Sequence, residues 1–230
     1  MLWQDNSNAA DYVVPDDIVD LSFRIECREL PIDHAWTLSA AIRSALPWFN
    51  VEPDAGIHSI HGASSGNGWE RPPQRAGSLI QLSRRTRMYL RLPKHRLADA
   101  RALVGQCLDV DGFRVNVGDF QVRALVPTTT VFSRSVFSDH AEDENAFEHE
   151  LIDLLAQQDI NISKMLCGLS HHLTTPEGTL SARSVLLAEL EPAESIALQQ
   201  RGVGLNRALG CGIFLPHKSL AAVGSSQEND

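Results

Sequence analysis

The chain has 230 residues, 43% of them hydrophobic, and a formal net charge of −9. That length buries one large core or two small ones of about 100 residues each, and the acidic balance speaks against a nucleic-acid partner, whose phosphates call for Lys and Arg. The first residues, MLWQDNSNAADY, carry no basic or apolar leader, and no stretch approaches the roughly 18 apolar residues of a membrane span, so a soluble, cytoplasmic protein without a membrane partner is expected.

Residues 1–17 read as an acidic tail, with five Asp and no Lys or Arg in the first 20 positions. Val19, Leu21, Phe23, Ile25 and Cys27 then alternate with Asp20, Ser22, Arg24 and Glu26, the period of a strand with one face buried. Pro31 and Asp33 punctuate the chain. Ala35, Leu38, Ala41, Ile42, Ala45 and Leu46 follow at helical spacing as far as Pro47, with Asp33 placed to cap the first turn. Residues 57–61 and 87–92 read as strands, separated by a Gly-, Ser- and Pro-rich loop at 62–77. A second helix is expected over 94–104, a hairpin-like region around Gly112 and Gly118, and a strand over 120–126 ending at Pro127.

The order then repeats. Residues 131–137 read as a strand, and 144–157 carry Phe147, Leu151, Leu154 and Leu155 on one helical face. Residues 160–172 and 179–190 flank a turn at Pro176, Glu177 and Gly178, as in a long hairpin. Pro192 starts a helix that Gly202 ends, and 213–215 supply a last strand. Two copies of βαββαβ predict an α+β chain of tandem ferredoxin-like (RRM-like) domains, 18–127 and 128–220, with a tail at 221–230. That fold hosts RNA binders and metabolic modules alike, so function has to come from particular residues.

The charges are segregated along the chain. Residues 139–150 hold six acids, whereas 84–101 hold Arg84, Arg85, Arg87, Arg91, Lys94, Arg96 and Arg101 against Asp99 alone, and 201–218 hold no acid. A local basic field can therefore outweigh the total charge, although such runs also serve simply to solvate a surface. Cys27, Cys107, Cys167 and Cys211 form no CxxC pair, so reduced, mostly buried thiols are expected rather than a zinc ribbon or a disulfide framework.

The segment GVGLNRALGCGIFLPHK, residues 202–218, places Gly202, Gly204, Gly210 and Gly212 around Asn206 and Arg207. Several positive-φ positions and a close approach of a phosphate chain become possible there, with Arg207 to neutralise charge. The third glycine of a dinucleotide fingerprint would fall at Arg207, and no GK[ST] follows at P-loop spacing, so no nucleotide cofactor is indicated. A helix cap and tight turn would explain Gly202 but leave the other three glycines without a task.

The pattern GxGxxxxxGxG before an apolar strand, together with LPIDHAWTL, GIHSIHG and GCGIFLPHK, resembles the CRISPR-associated precursor-RNA endoribonucleases, in their MYXAN-subtype variant, over residues 19–220. The resemblance implies metal-independent cutting of CRISPR repeat RNA into guide RNA, leaving a 5′ hydroxyl and a 2′,3′-cyclic phosphate or 3′ phosphate. The implied partners are the repeat stem-loop and other CRISPR effector subunits, with no cofactor and no metal. It further implies His34, at the start of the first helix, as general base; a first-turn histidine can instead cap or solvate the helix.

Strand alternation sends His58 and His61 to opposite faces, so that at most one joins the site, and His58 is the second catalytic candidate. Tyr12 and Tyr89 do not fall beside His34, which leaves the second catalytic group open. Arg84, Arg85, Arg87, Lys94 and Arg96 are candidates to grip the stem. His171, His172 and Arg183, near a hairpin tip, are candidates to reach a groove, and His217 and Lys218 to contact RNA beyond the last strand. Two alternatives remain at this level: a non-catalytic tandem RNA-binding protein, and a metabolic module whose glycine loop binds a small anion.

Overall fold

The computed structural model describes residues 12–62 and 77–217. Lys218, the C-terminal tail and, apart from its two ends, the expected loop at 62–77 lie outside the described residues. The elements run β1 (Ile18–Glu26), β2 (Glu29–Pro31), α1 (Ala35–Ala45), β3 (Gly56–Ile57), β4 (Leu79–Gln81), β5 (Arg87–Pro93), α2 (Leu97–Ala100), β6 (Cys107–Val110) and β7 (Phe113–Arg123). There follow β8 (Thr130–Phe137), α3 (Glu144–Ala156), β9 (Lys164–Thr175), β10 (Gly178–Ala188), α4 (Pro192–Arg201) and β11 (Phe214–Pro216).

The strands form a five-stranded sheet in the order β3-β5-β1-β7-β6 and a four-stranded sheet in the order β11-β8-β10-β9. In each, the first and third strands of a βαββαβ unit lie side by side at the centre, with the fourth beside the first and the second beside the third. This is the ferredoxin-like arrangement, present twice. The third sheet, β2 with β4, was absent from the sequence reading.

Two apolar clusters fill the halves. One takes Leu21, Phe23, Met88, Leu90 and Leu92 from β1 and β5 with Leu38 and Ile42 from α1. The other takes Val131 and Val136 from β8, Val185 and Leu187 from β10, and Phe147 and Leu151 from α3. Each fully buried side chain of this kind contributes about 1.5–3 kcal/mol. The α3 helix starts where the Asp143 carboxylate accepts from the Asn145 and Ala146 amides, and α4 starts with a capping box between Glu191 and Glu194 and Pro192 at its first position.

Several sequence expectations are corrected. The helix expected over 94–104 is one α turn, α2, between two 3-10 turns, because Leu97, Ala100 and Leu103 recur every three residues and favour the tighter winding. The expected strand at 57–61 ends at Ile57. Asp33 does not cap α1: His34 is the N-cap residue, and Asp33 Oδ2 accepts instead from Thr174 N on β9 at 2.9 Å. The four cysteines are free, but only Cys211 is buried and Cys107 is exposed. Among the described residues, no helix is long and apolar enough to cross a membrane.

The halves are joined by a polar staple and a small apolar cluster rather than by one large shared core. Arg91, on the face of β5 opposite the core, is fully buried. Its Nε and Nη2 donate to the two Asp20 carboxylate oxygens at 2.8 and 2.9 Å, and its Nη1 donates to the carbonyls of Gln199 and Phe214 at 2.6 and 2.7 Å. A small cluster of Ile18, Leu125 and Ile196 sits beside this staple, and Tyr12 and Val14, from the end of the acidic tail, pack on it.

Candidate functional site

His34 ends the irregular step between β2 and α1. Its Nδ1 lies 2.8 Å from Pro31 O, a carbonyl that only accepts, so this nitrogen carries the proton. The other nitrogen, Nε2, is then the basic one, and it accepts from the Ile60 amide at 3.3 Å. The residue is 4% exposed. Its position at the start of an eleven-residue helix, whose first turn has no side-chain cap, favours a neighbouring phosphate.

His58 and His61 lie beyond the end of β3, where the alternation assumed from sequence no longer applies. Both line one cavity of about 400 Å³, together with Asp20, Arg85, Arg87 and Tyr89. His58 is buried, stacks on Tyr89 at 5.6 Å, and holds Nε2 3.2 Å from Asp20 Oδ1, off the line of a hydrogen bond. Burial is the strongest influence on His58 and drives its pKa below the ordinary value; the Asp20 carboxylate opposes the shift, and the Arg91 and Arg207 charges add to it. For Asp20, burial alone would raise the pKa, but the charges of His58 and Arg91 outweigh it and hold the carboxyl below the ordinary range.

The His58 shift has a measurable consequence. Unfolded, His58 titrates near pH 6.5, whereas folded it accepts a proton only at lower pH, so the unfolded chain binds more protons between the two values. Its contribution to stability is complete above about pH 6.5 and falls as the pH drops below it. Melting temperature should decline as the pH falls below about 6.5, and His58→Gln should flatten that decline. An equally steep decline in the variant would remove His58 as its source.

The candidate cations divide into two groups. Lys94 pairs with Asp16, and Arg96 pairs with Glu52 and Asp99 while stacking on Trp48. Among the described residues, Arg84, Arg85 and Arg87 make no ion pair and stand together at the β4–β5 turn. Arg183 does not reach out from the hairpin: it is 6% exposed and donates to the carbonyls of Ala141 and Gly168 and to Glu144. His171 is half-buried against the Ser135 hydroxyl. His172 is exposed and lines a second cleft, of about 660 Å³, with Pro31, Asp33 and Thr174, so it faces the segment that leads into His34. The His217 ring meets Phe132 at 6.0 Å, and its amide donates to Thr130 O.

In the glycine-rich loop, backbone crowding explains more glycines than a helix cap would. Gly202, Gly204, Gly210 and Gly212 all have positive φ. A Cβ on Gly212 would lie 2.0 Å from Val203 O, and one on Gly202 would lie 2.2 Å from Gly212 O, while Gly210 packs against Ile57 O and Ser59 of the other half. Asn206 is left-handed too, at φ 66°, and its carbonyl accepts from the Leu209 and Cys211 amides. Arg207 is folded inward, donating to the carbonyls of Gln200, Arg201 and Asp54, and burial with the nearby Arg91 charge draws its pKa down to about 10. Only Gly204 and its neighbour Leu205 face solvent. A Cβ on Gly204 meets nothing closer than Phe137 O at 3.6 Å, so Gly204→Ala should cost about 1–2 kcal/mol from its positive φ alone. Gly212→Ala should cost more when the two variants are unfolded in urea, and the reverse order would contradict this packing.

Sequence reasoning left Arg91, Asp20 and Tyr89 out of the candidate site and allowed only one of His58 and His61 into it. A signal was present: Arg87, Tyr89 and Arg91 alternate along one strand and so share the face of β5 that points away from the core.

A sequence profile for the family described as Cas6 Crispr matches residues 19–219. The CRISPR-associated endonuclease Cas6 of Myxococcus xanthus strain DK1622 is 30% identical over 207 residues, which are 90% of this chain and 85% of that one. Among solved structures, a CRISPR-associated protein Cas6 superposes with a TM-score of 0.58 at 8% identity, covering 87% of this chain and all of the other. A Cas6-related protein from Pyrococcus furiosus gives 0.57 at 10% identity, over 86% of this chain and 98% of that one. These structural matches establish the shared fold, and the sequence matches establish the family: the chain belongs to the Cas6 CRISPR family.

Proposed function

We propose that this chain is an endoribonuclease that cuts CRISPR precursor RNA within the repeat, without a metal, by attack of the RNA's own 2′-hydroxyl. The fixed tautomer of His34 carries this reading. With Nδ1 tied to Pro31 O, Nε2 is aimed as an acceptor, and the bond it makes to the Ile60 amide is a long one at 3.3 Å that a substrate hydroxyl can replace. In this scheme His34 Nε2 takes the 2′ proton, O2′ bonds to phosphorus as the P–O5′ bond breaks, and the 5′ oxygen leaves with a proton from water, which the protonated His34 restores. The products carry a 5′ hydroxyl and a 2′,3′-cyclic phosphate. The α1 amides help to hold the phosphate.

The RNA lies along the cations of the β4–β5 turn in this reading, and the exposed Gly204–Leu205 loop tip follows its backbone. The partners we infer are the repeat stem-loop and, after cleavage, other subunits of a CRISPR effector complex, in the cytoplasm where the transcript is made. The name of the Myxococcus relative, an endonuclease, supports the activity.

One observation favours the second reading, a non-catalytic RNA binder: His34 is 4% exposed with both ring nitrogens engaged. Labelled repeat RNA incubated with the protein in EDTA separates the two. The proposal expects a discrete cut, and a shifted but intact RNA would replace it with the binder.

A further inference from the structure

The cavity of about 400 Å³ beside β5 has three kinds of wall. Tyr89 and His61 contribute rings, and His58 is stacked against Tyr89. Leu215, from β11 in the other half, contributes an apolar edge. Arg85 and Arg87 contribute positive charge, while the one carboxylate in the wall, Asp20, is already engaged by both arms of Arg91. The local field therefore favours an anion that also carries a flat ring.

The turn that presents these arginines is held in shape by its own hydrogen bonds. The Ser83 amide donates to the Thr86 hydroxyl at 3.1 Å, the Arg85 amide donates to the Ser83 hydroxyl at 3.2 Å, and the Thr86 amide donates to Ser83 O at 3.0 Å. Arg87 folds one nitrogen, Nη1, back onto the carbonyls of Arg84 and Thr86, which fixes its guanidinium and leaves its other N–H groups for a ligand. A site that is ordered before binding loses little entropy on binding.

We propose that this cavity binds one unpaired ribonucleotide of the RNA, with its base against Tyr89 and His61 and its phosphate at Arg85 and Arg87. The proposal rests on the RNA-processing reading and gives Arg85 and Arg87 to single-stranded RNA rather than to the stem. Size and shape both point this way. The volume lies within the range of small-ligand sites, roughly 300–1,000 Å³. A base inside a helix has its faces covered by its neighbours, so only an unpaired nucleotide offers a ring face to such a cavity. Because Leu215 closes the cavity from the second half, an RNA strand lying between the halves passes its mouth.

The test compares two RNAs: the repeat hairpin with its single-stranded flanks, and the same hairpin trimmed of them, each with a 2′-deoxy sugar at the cleaved nucleotide to prevent turnover. Affinities are measured for the wild-type chain, for Arg85→Ala with Arg87→Ala, and for Leu215→Glu, which places a negative charge in the opposite wall. The flanks should strengthen wild-type binding by about tenfold, and both variants should bring the ratio of the two affinities close to one. If the arginine variant weakens both RNAs while preserving the ratio, those residues grip the stem and the proposal fails. Flanks that add nothing to wild-type binding also overturn it. In both cases cleavage of repeat RNA by the wild type still stands, whereas a wild-type chain that binds neither RNA removes the underlying reading itself. Melting curves confirm that each variant is folded.

Discussion

Replacing His34 with alanine should slow cleavage of repeat RNA by about a hundredfold to ten-thousandfold, the range for loss of a general base. The substitution also removes an acceptor for the Ile60 amide and a donor to Pro31 O, at a cost of about 1–3 kcal/mol for buried groups left unpaired. Loss of activity in His34→Ala alone would therefore mix chemistry with stability. His34→Gln keeps an amide that can donate and accept at nearly the same place but has no basic nitrogen. It should retain the melting temperature more closely, bind repeat RNA, and cut as slowly as the alanine variant. A glutamine variant that cuts at the wild-type rate would make His34 a structural residue that joins α1 to the segment after β3.

Arg91→Ala is the second large effect expected, and it concerns how the halves are held. The substitution leaves the Asp20 carboxylate in a site where it is only 14% exposed, with His58 as its remaining neighbour, and strips the Gln199 and Phe214 carbonyls of their donor. Breaking a buried pair in this way costs about 3–5 kcal/mol, a large part of the 5–15 kcal/mol that holds a typical domain. Urea unfolding at neutral pH measures the loss. Arg91→Lys should recover only part of it, since a single ammonium cannot reproduce the two-pronged contact with Asp20 while also reaching two carbonyls. A loss below about 1 kcal/mol, the worth of an exposed pair, would mean that the staple does not hold the halves together.

The parts of this fold that were legible in sequence are those in which one face meets one core. The alternation from Val19 to Cys27 and the helical spacing of Phe147, Leu151 and Leu155 each report the face that meets a core, and both elements are where they were expected. The sheet of β2 and β4 has three residues per strand, too few to show a period, and one of them is Pro31. The chain after Ile57 leaves its sheet because the His58 amide still bonds Tyr89 O while the Ile60 amide turns to His34. That turn brings His58 and His61 to one cavity, which strand alternation could not foresee.

At the candidate site the divide follows partner distance. Glycines were recognised from their spacing, but the reason for Gly212 is Val203 O, and the reason for Gly210 is a strand more than a hundred residues away. Arg183 and Arg207 looked like surface cations because their carbonyl partners cannot be read from sequence. Arg91 was one charge in a basic run until the second half folded over it. The three cations at the β4–β5 turn are members of that run that make no ion pair among the described residues.

The central claim is that the RNA supplies its own nucleophile. A repeat RNA with a single 2′-deoxy sugar at the cleaved nucleotide, incubated with the wild-type chain in EDTA beside the all-ribose RNA, tests it most directly. The account predicts a discrete cut with a 5′ hydroxyl and a 2′,3′-cyclic phosphate in the all-ribose RNA, and an intact, bound RNA when that one oxygen is missing. Cleavage of the deoxy-substituted RNA at the same position and rate would contradict it.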